Sequence, residues 1–228
     1  MNILSIIPAR GGSKRIPRKN IKPFSGKPII QYSIETALKS GLFNEIMVST
    51  DDAEIAEFSL NAGAVVPFLR SPQTSNDNAH IADVVEEVLM MYKEIGKEFD
   101  IFCVIFPTAP FIRQERLLEG LEMMNNKDFD SVFPVLRYNY PIQRSLKIEN
   151  GKVSMNWPEN FNKRSQDLNP AFHDSGQFYW MKTSSFLKQK KLFAENSGAI
   201  VLSDMEAHDI DTPEDWKIAE MKYKILFG

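Results

Sequence analysis

Short apolar runs that alternate with helix-period segments constrain this chain more than any other feature. Ile3–Pro8, Glu45–Ser49, Ala64–Phe68, Ile101–Phe106 and Ser131–Val135 have the length and composition of buried strands. Between them, Ile29–Ser40 carries Ile30, Ile34, Ala37 and Leu38 at helical spacing and stops at Gly41. Asp52–Ala62 ends at Gly63, Ala82–Ile95 is helical, and Arg113–Asn125 places Leu117, Leu118 and Leu121 on one face. Runs that are apolar at successive positions need cover on both faces. The alternation therefore predicts an α/β fold, a mostly parallel sheet flanked by helices. With 228 residues, 43% hydrophobic and 25% charged, the chain can bury a core and is neither disordered nor a coiled coil.

After Ser131–Val135 the pattern changes. Arg137–Trp180 is rich in aromatics, Pro, Asn and Gln and reads as an insertion. Its strand candidates are Ser145–Ile148, Val153–Trp157 and Gly176–Met181, with Asn150-Gly151 as a hairpin turn between the first two. The alternation resumes with helix Thr183–Lys188, strand Ala199–Leu202 and helix Pro213–Leu226. No repeat or long linker divides the chain, so one domain over 1–228 is expected. A net charge of −3 argues against a general nucleic-acid coat. Cys103 lies in an apolar run and reads as a buried, inert thiol. Ile3–Ile7 is too short for a signal-peptide core, and no stretch approaches the ~18 apolar residues of a membrane span. A cytoplasmic protein without a membrane partner is expected.

The functional signal lies directly after the first run. Ala9-Arg10-Gly11-Gly12-Ser13-Lys14-Arg15-Ile16-Pro17-Arg18-Lys19-Asn20 joins five basic side chains to two adjacent glycines at a strand's C-terminal end. Open α/β sheets bind ligands at that edge, where glycine lets backbone N–H groups approach phosphate and Lys or Arg offsets its charge. A triphosphate is the natural guest. The segment matches neither G-x-x-x-x-G-K-[ST] nor G-x-G-x-x-G. Composition alone equally allows a solvated basic loop or a nonspecific nucleic-acid contact.

Asp209-Ile210-Asp211 is the second signal, because two Asp at i and i+2 in extended backbone point to the same side and can share one hard cation, Mg²⁺. Thr212, Pro213 and Asp215 read instead as a helix start: N-cap, first-turn proline and capping-box partner. Asp51-Asp52 reads as another helix start, capped by Thr50 or Asp51. In Arg70–Asp77, Asp77 is either the cap of the next helix or a ligand group. His80, His173 and His208 lack metal-ligand spacing, so no zinc is expected.

Ile7–Asn20, IPARGGSKRIPRKN, resembles the signature loop of the cytidylyltransferases that activate sialic acid and related nonulosonic acids, and the similarity covers nearly the whole chain. The resemblance implies a Rossmann-like, mostly parallel sheet of the nucleotide-diphospho-sugar transferase type, with a small inserted dimerisation subdomain at about 137–180. It implies CTP and a nine-carbon 2-keto acid sugar as substrates, Mg²⁺ as cofactor, a homodimer, and neither nucleic acid nor membrane as partner. Carried over position by position, Ala9, Arg10, Gly11, Gly12, Ser13, Lys14, Asn20, Arg70, Asp77, Pro107 and Thr108 fall on the nucleotide. Arg10, Lys14 and Lys19 then offset charge on the reacting phosphates, and Asp209 and Asp211 hold the metal.

Three departures point within that family to its pseudaminic acid branch. Arg15 stands where sialic acid synthetases generally carry Gly. Phe106-Pro107-Thr108-Ala109-Pro110-Phe111 stands where they typically read Gln-Pro-Thr-Ser-Pro-Leu, and Phe106 and Ala109 imply a less polar acceptor pocket. Tyr140–Arg144, Arg164–Leu168 and His173–Tyr179 also resemble that branch, which implies sugar contacts from Gln143, Arg164, Gln166, His173 and Gln177. A guanidinium such as Arg164 suits the sugar's carboxylate. The expected reaction is CMP transfer from CTP to the anomeric hydroxyl of pseudaminic acid, serving surface glycan or flagellin glycosylation. The alternatives are the same reaction on sialic or legionaminic acid, and, in a different class, a non-catalytic nucleotide-binding module.

Overall fold

The computed structural model describes residues 1–228. β1 (Ile3–Pro8) runs into the glycine and basic loop, then a short turn of β2 (Pro23–Phe24) and β3 (Lys27–Pro28), then α1 (Ile29–Ser40). Helix α1 stops at Gly41, whose φ of 65° is left-handed. Next come β4 (Glu45–Ser49), α2 (Ala53–Asn61), the single turn α3 (Pro72–Ser75), α4 (Ile81–Glu94), β5 (Ile101–Ile105), α5 (Gln114–Asn126) and β6 (Ser131–Arg137). The ribbon β7 (Leu146–Glu149) and β8 (Lys152–Met155) turns at Asn150 and Gly151, both at positive φ as a two-residue hairpin demands. β9 (Phe172–Asp174), β10 (Phe178–Lys182), α6 (Thr183–Gln189), β11 (Ser197–Leu202) and α7 (Pro213–Phe227) follow.

The central sheet has the order β11-β6-β10-β5-β1-β4. β1 is parallel to both β4 and β5, and β11 is parallel to β6. β10 runs antiparallel between β5 and β6, and β9 pairs antiparallel with the end of β6. Alternate residues supply opposite layers. Ile3 and Ile7 with Ile101, Cys103 and Ile105 face the layer of α1, α2 and α5. Leu4 and Ile6 with Phe102 and Val104 face the layer of α4 and α6. Cys103, in the first of these layers, is fully buried, and desolvation pushes its thiol well above the ordinary range. A third cluster joins Ile16, Phe24, Tyr32 and Phe111 to Ile210 and Trp216, tying the basic loop to the start of α7.

Four sequence expectations change. Ala64–Phe68 forms only an isolated bridge, Val65 to Met47, and Pro67 has no N–H with which to extend it. Phe178–Lys182, grouped above with the insertion, is a strand of the central sheet buried on both faces. Leu118 is exposed, because the buried stripe of α5 runs Leu117, Gly120, Leu121, Met124 and position 118 lies about 100° from it. Leu38, in the last turn of α1, is exposed as well.

Gly120 is where the core is tightest. A Cβ there meets Trp180 at 2.6 Å from Cδ1 and 3.0 Å from Nε1, and that indole is fixed by an Nε1–H bond to the Leu117 carbonyl at 3.0 Å. Gly120→Ala is expected to lower stability, since overpacking at about 1–3 kcal/mol outweighs a helix-propensity gain of about 1 kcal/mol. Thermal unfolding of the variant checks this.

Candidate active site

β1 leads through α1 to β4 on one side, while β5 takes the place on its other side, so the loops after β1 and β5 part from each other at the sheet's C-terminal edge. A cavity of about 190 Å³ opens there. Its walls are Pro8, Arg10, Ser13, Lys14, Arg15, Ile16, Lys19 and Asn20 from the first loop, and Phe106, Pro107 and Thr108 from the second.

Side chains fix the first loop from several directions. The Gly11 N–H donates to Asp51 Oδ1 at 2.9 Å, and a Cβ on residue 11 meets Asp52 Oδ2 at 2.6 Å, so a larger residue there has to displace the Asp52 side chain. Position 12 has open space around it and carries no such requirement. Asn20 is buried and its amide donates to the Arg10 carbonyl at 2.9 Å, closing the loop on itself. Arg18, left-handed at φ 55°, pairs with Asp52 and Glu54 at the start of α2 and serves the loop's shape rather than the cavity. Asp52, not Thr50 or Asp51, caps α2: its Oδ1 accepts from Glu54 N–H at 3.1 Å and Ile55 N–H at 3.0 Å. Asp51 is thereby left for Gly11.

The other four cations are shared between two carboxylates. Arg10 donates to Asp77 Oδ1 at 2.8 Å and Lys14 pairs with its other oxygen. These contacts, Lys14 first, hold the Asp77 carboxyl below the usual carboxylate range. Asp77 is therefore no helix cap; α4 starts after His80, whose N–H donates to Asp83. Arg15 grips Asp211 with two nitrogens, at 2.8 and 2.7 Å. Lys19 donates to the Ile210 carbonyl at 2.8 Å and lies 3.7 Å from Asp211. Burial pushes the Lys19 ammonium below its ordinary value, against the opposing pull of Asp211 and Asp209. As expected, Thr212 caps α7 with Asp215 as its capping-box partner, and Asp215 Oδ2 also accepts the Asp211 N–H at 3.1 Å.

No three His, Cys, Asp or Glu side chains gather as a metal cage. Asp209 and Asp211 flank buried Ile210, and both carboxylates act on Lys19. Mg²⁺ is usually held by one or two carboxylates, with waters and substrate phosphates completing its shell. Two carboxylates beside a cation-lined cavity fit that donor set.

Arg70 is 8% exposed, its Nε donating to Ser49 Oγ at 3.0 Å and its Nη2 to the Ser49 carbonyl at 2.7 Å; burial lowers it to about 10. It stands at the end of β4, outside the cavity wall. Phe106 lines the cavity and its carbonyl accepts from Ser33 Oγ at 2.8 Å, whereas Ala109 is buried in the core beneath. Gln177 is buried with its amide on the Glu206 carbonyl. Gln143 donates to the Asn169 carbonyl at 2.9 Å, Arg164 pairs with Asp167, Gln166 lines a separate groove of the insertion, and exposed His173 lies tilted against the Tyr138 ring. Within one chain these insertion residues do not reach the cavity. Asp51, Asp52 and the Arg15–Asp211 pair are the contributions that sequence reading missed.

An open α/β sheet whose cation-lined cavity sits at the switch point beside paired carboxylates belongs to the nucleotidyltransferase class of enzyme. The chain belongs to the cytidylyltransferase family, which matches residues 4–215. It is 40% identical over 226 residues to a pseudaminic acid cytidylyltransferase of Campylobacter jejuni, covering 99% of this chain and 97% of that protein. It is 34% identical to a CMP-N,N'-diacetyllegionaminic acid synthase of Legionella pneumophila, over 96% of this chain and 95% of that one. The fold is shared with a CMP:2-keto-3-deoxy-manno-octonic acid synthetase solved in complex with CTP, at a TM-score of 0.73 and 18% identity over 100% of both chains.

Proposed function

We propose that the enzyme transfers CMP from CTP to the anomeric hydroxyl of pseudaminic acid and releases pyrophosphate. The observation that carries this reading is the cavity at the switch point, where Arg10, Lys14, Arg15 and Lys19 converge opposite Asp209 and Asp211. The sugar's oxygen forms a bond to the α-phosphorus as the bond to the β-phosphate oxygen breaks, so catalysis is positioning and charge stabilisation. Arg10 and Lys14 hold the outer phosphates, and Lys19 offsets the charge that grows on the leaving group. Asp209 and Asp211 would hold Mg²⁺, which supplies further neutralisation of the triphosphate. Arg70 is the base-recognition candidate. Phe106 gives the cavity an apolar wall, which suits a sugar ending in a methyl group.

The chain acts as a homodimer in this reading. Leu146, Ile148 and Val153 on the β7–β8 ribbon, with Phe161, are exposed, and clustered exposed apolar side chains mark a protein contact. A second copy that covers them also offers a route for Arg164 and Gln166 to a neighbouring cavity. Location in the cytoplasm is part of the proposal; no helix is long and apolar enough to cross a membrane.

Pyrophosphate release from CTP and Mg²⁺, measured in parallel with pseudaminic, legionaminic and N-acetylneuraminic acids, tests the assignment. Release with pseudaminic acid alone is expected, and none when UTP or ATP replaces CTP. Release with another acid keeps the reaction and moves the acceptor. Silence with all three favours a binding module.

A further inference from the structure

The Arg15 guanidinium covers both oxygens of Asp211, Nη1 at 2.8 Å from Oδ2 and Nη2 at 2.7 Å from Oδ1. A carboxylate gripped in this way has both oxygens engaged and its charge offset by a guanidinium, and Lys19 adds a second positive charge 3.7 Å from Oδ1, so a dication meets a less negative site there. We propose that Arg15 is a positioning residue that occupies Asp211 until a triphosphate draws it away, so that Asp211 reaches the divalent cation only once the nucleotide is in place. The proposal rests on the reading of Asp209 and Asp211 as the metal pair.

Arg15 is free to leave and Asp211 is not. The Arg15 side chain is 67% exposed and lines the same cavity as Arg10, Lys14 and Lys19, so phosphate oxygens seated there come within its reach. Exposed ion pairs are weak, and a polyanion outcompetes a single carboxylate for a guanidinium. Asp211, by contrast, is anchored by its own N–H on Asp215, by buried Ile210 before it, and by Lys19 on the Ile210 carbonyl. Asp77 pairs with Arg10 and Lys14 in the same way, so each of the four cavity cations has an internal carboxylate as partner. The exchange hands the guanidinium from Asp211 to phosphate and leaves Asp211 bare beside Asp209. A free metal ion thereby meets a weaker site before its substrate is bound than after.

Mn²⁺ binding to the nucleotide-free protein, followed by loss of the free-ion electron paramagnetic resonance signal, tests this. Arg15→Gln is expected to bind Mn²⁺ about tenfold tighter than wild type, as removal of a nearby positive charge demands. The gain should vanish in Arg15→Gln/Asp211→Asn, and Arg15→Lys should fall between. A merely structural role for Arg15 cannot tighten the metal. Equal affinity in wild type and Arg15→Gln, or a gain that survives Asp211→Asn, overturns the proposal. Asp211→Asn assayed with CTP and Mg²⁺ separates the two levels. Retained CMP transfer removes the metal pair on which the proposal rests, whereas an inactive Asp211→Asn beside an Arg15→Gln with unchanged Mn²⁺ affinity leaves the pair standing and removes the gate.

Discussion

Asn at both 209 and 211 is expected to lower CMP transfer at least about 10³-fold, or about 4 kcal/mol of transition-state stabilisation, while the protein stays folded. The fold tolerates the change because neither carboxylate holds the backbone in place. The N–H of residue 211 rests on Asp215, Thr212 caps α7, and Ile210 is buried among Ile16, Phe24 and Trp216. The kinetic form of the loss follows from the charges. Removing Asp211 frees Arg15 and Lys19, which raises the positive potential that a triphosphate meets. CTP affinity without metal should therefore stay level or improve, and the defect should fall on kcat rather than KM. A folding defect moves both. Turnover measured against CTP concentration, with thermal unfolding of the same sample, distinguishes them. Undiminished kcat eliminates the metal role of this pair.

The parts of the fold that were legible in the sequence are those whose cause is local. Ile3–Pro8 is apolar at successive positions because β1 is covered on both faces, and Gly41 marks a helix end because the chain turns left-handed there. Phe178–Lys182 is just as local, Phe-Tyr-Trp-Met-Lys, yet it was grouped with the aromatic insertion, since composition cannot separate a central strand from the exposed aromatic segments before it. The cations and glycines of the loop marked it in the sequence as the candidate phosphate site, and the structure places four of its five cations on the cavity wall. Which cation does what was not legible there. Arg18 reads like Arg15 in sequence, but one braces Asp52 and the other faces the cavity, a difference made by the left-handed turn at 18 and by the position of α2. Asp51 and Asp52 could be ranked as caps only by local rules, whereas their partners Gly11 and Arg18 come from the loop after β1, which the parallel pairing of β1 with β4 sets beside them. The Arg15–Asp211 pair spans 196 positions and has no local signature at all.

Lys19→Met is expected to lower kcat about 10²–10³-fold, the usual effect of removing one preorganised charge from a developing anion. Lys19 suits that task because its position is set before substrate arrives: the ammonium is largely buried and fixed on the Ile210 carbonyl. Its surroundings also predict the pH profile. The groups that act on it are Asp211 and Asp209, which favour the charged form, and Arg15 with desolvation, which disfavour it; desolvation is the largest, so the value lies below the ordinary 10.5. Only the protonated amine stabilises phosphate. Activity should therefore fall as pH rises, and the alkaline limb should begin lower than for a free lysine. Bound triphosphate adds negative charge and restores the proton, which confines that limb to kcat/KM, the free enzyme's profile, and leaves kcat flatter over the same range. Lys19→Arg, whose guanidinium keeps its proton throughout, should lose the limb and retain part of the rate. A limb that persists unchanged in Lys19→Arg assigns it to another group and withdraws Lys19 from the chemistry of the leaving phosphate.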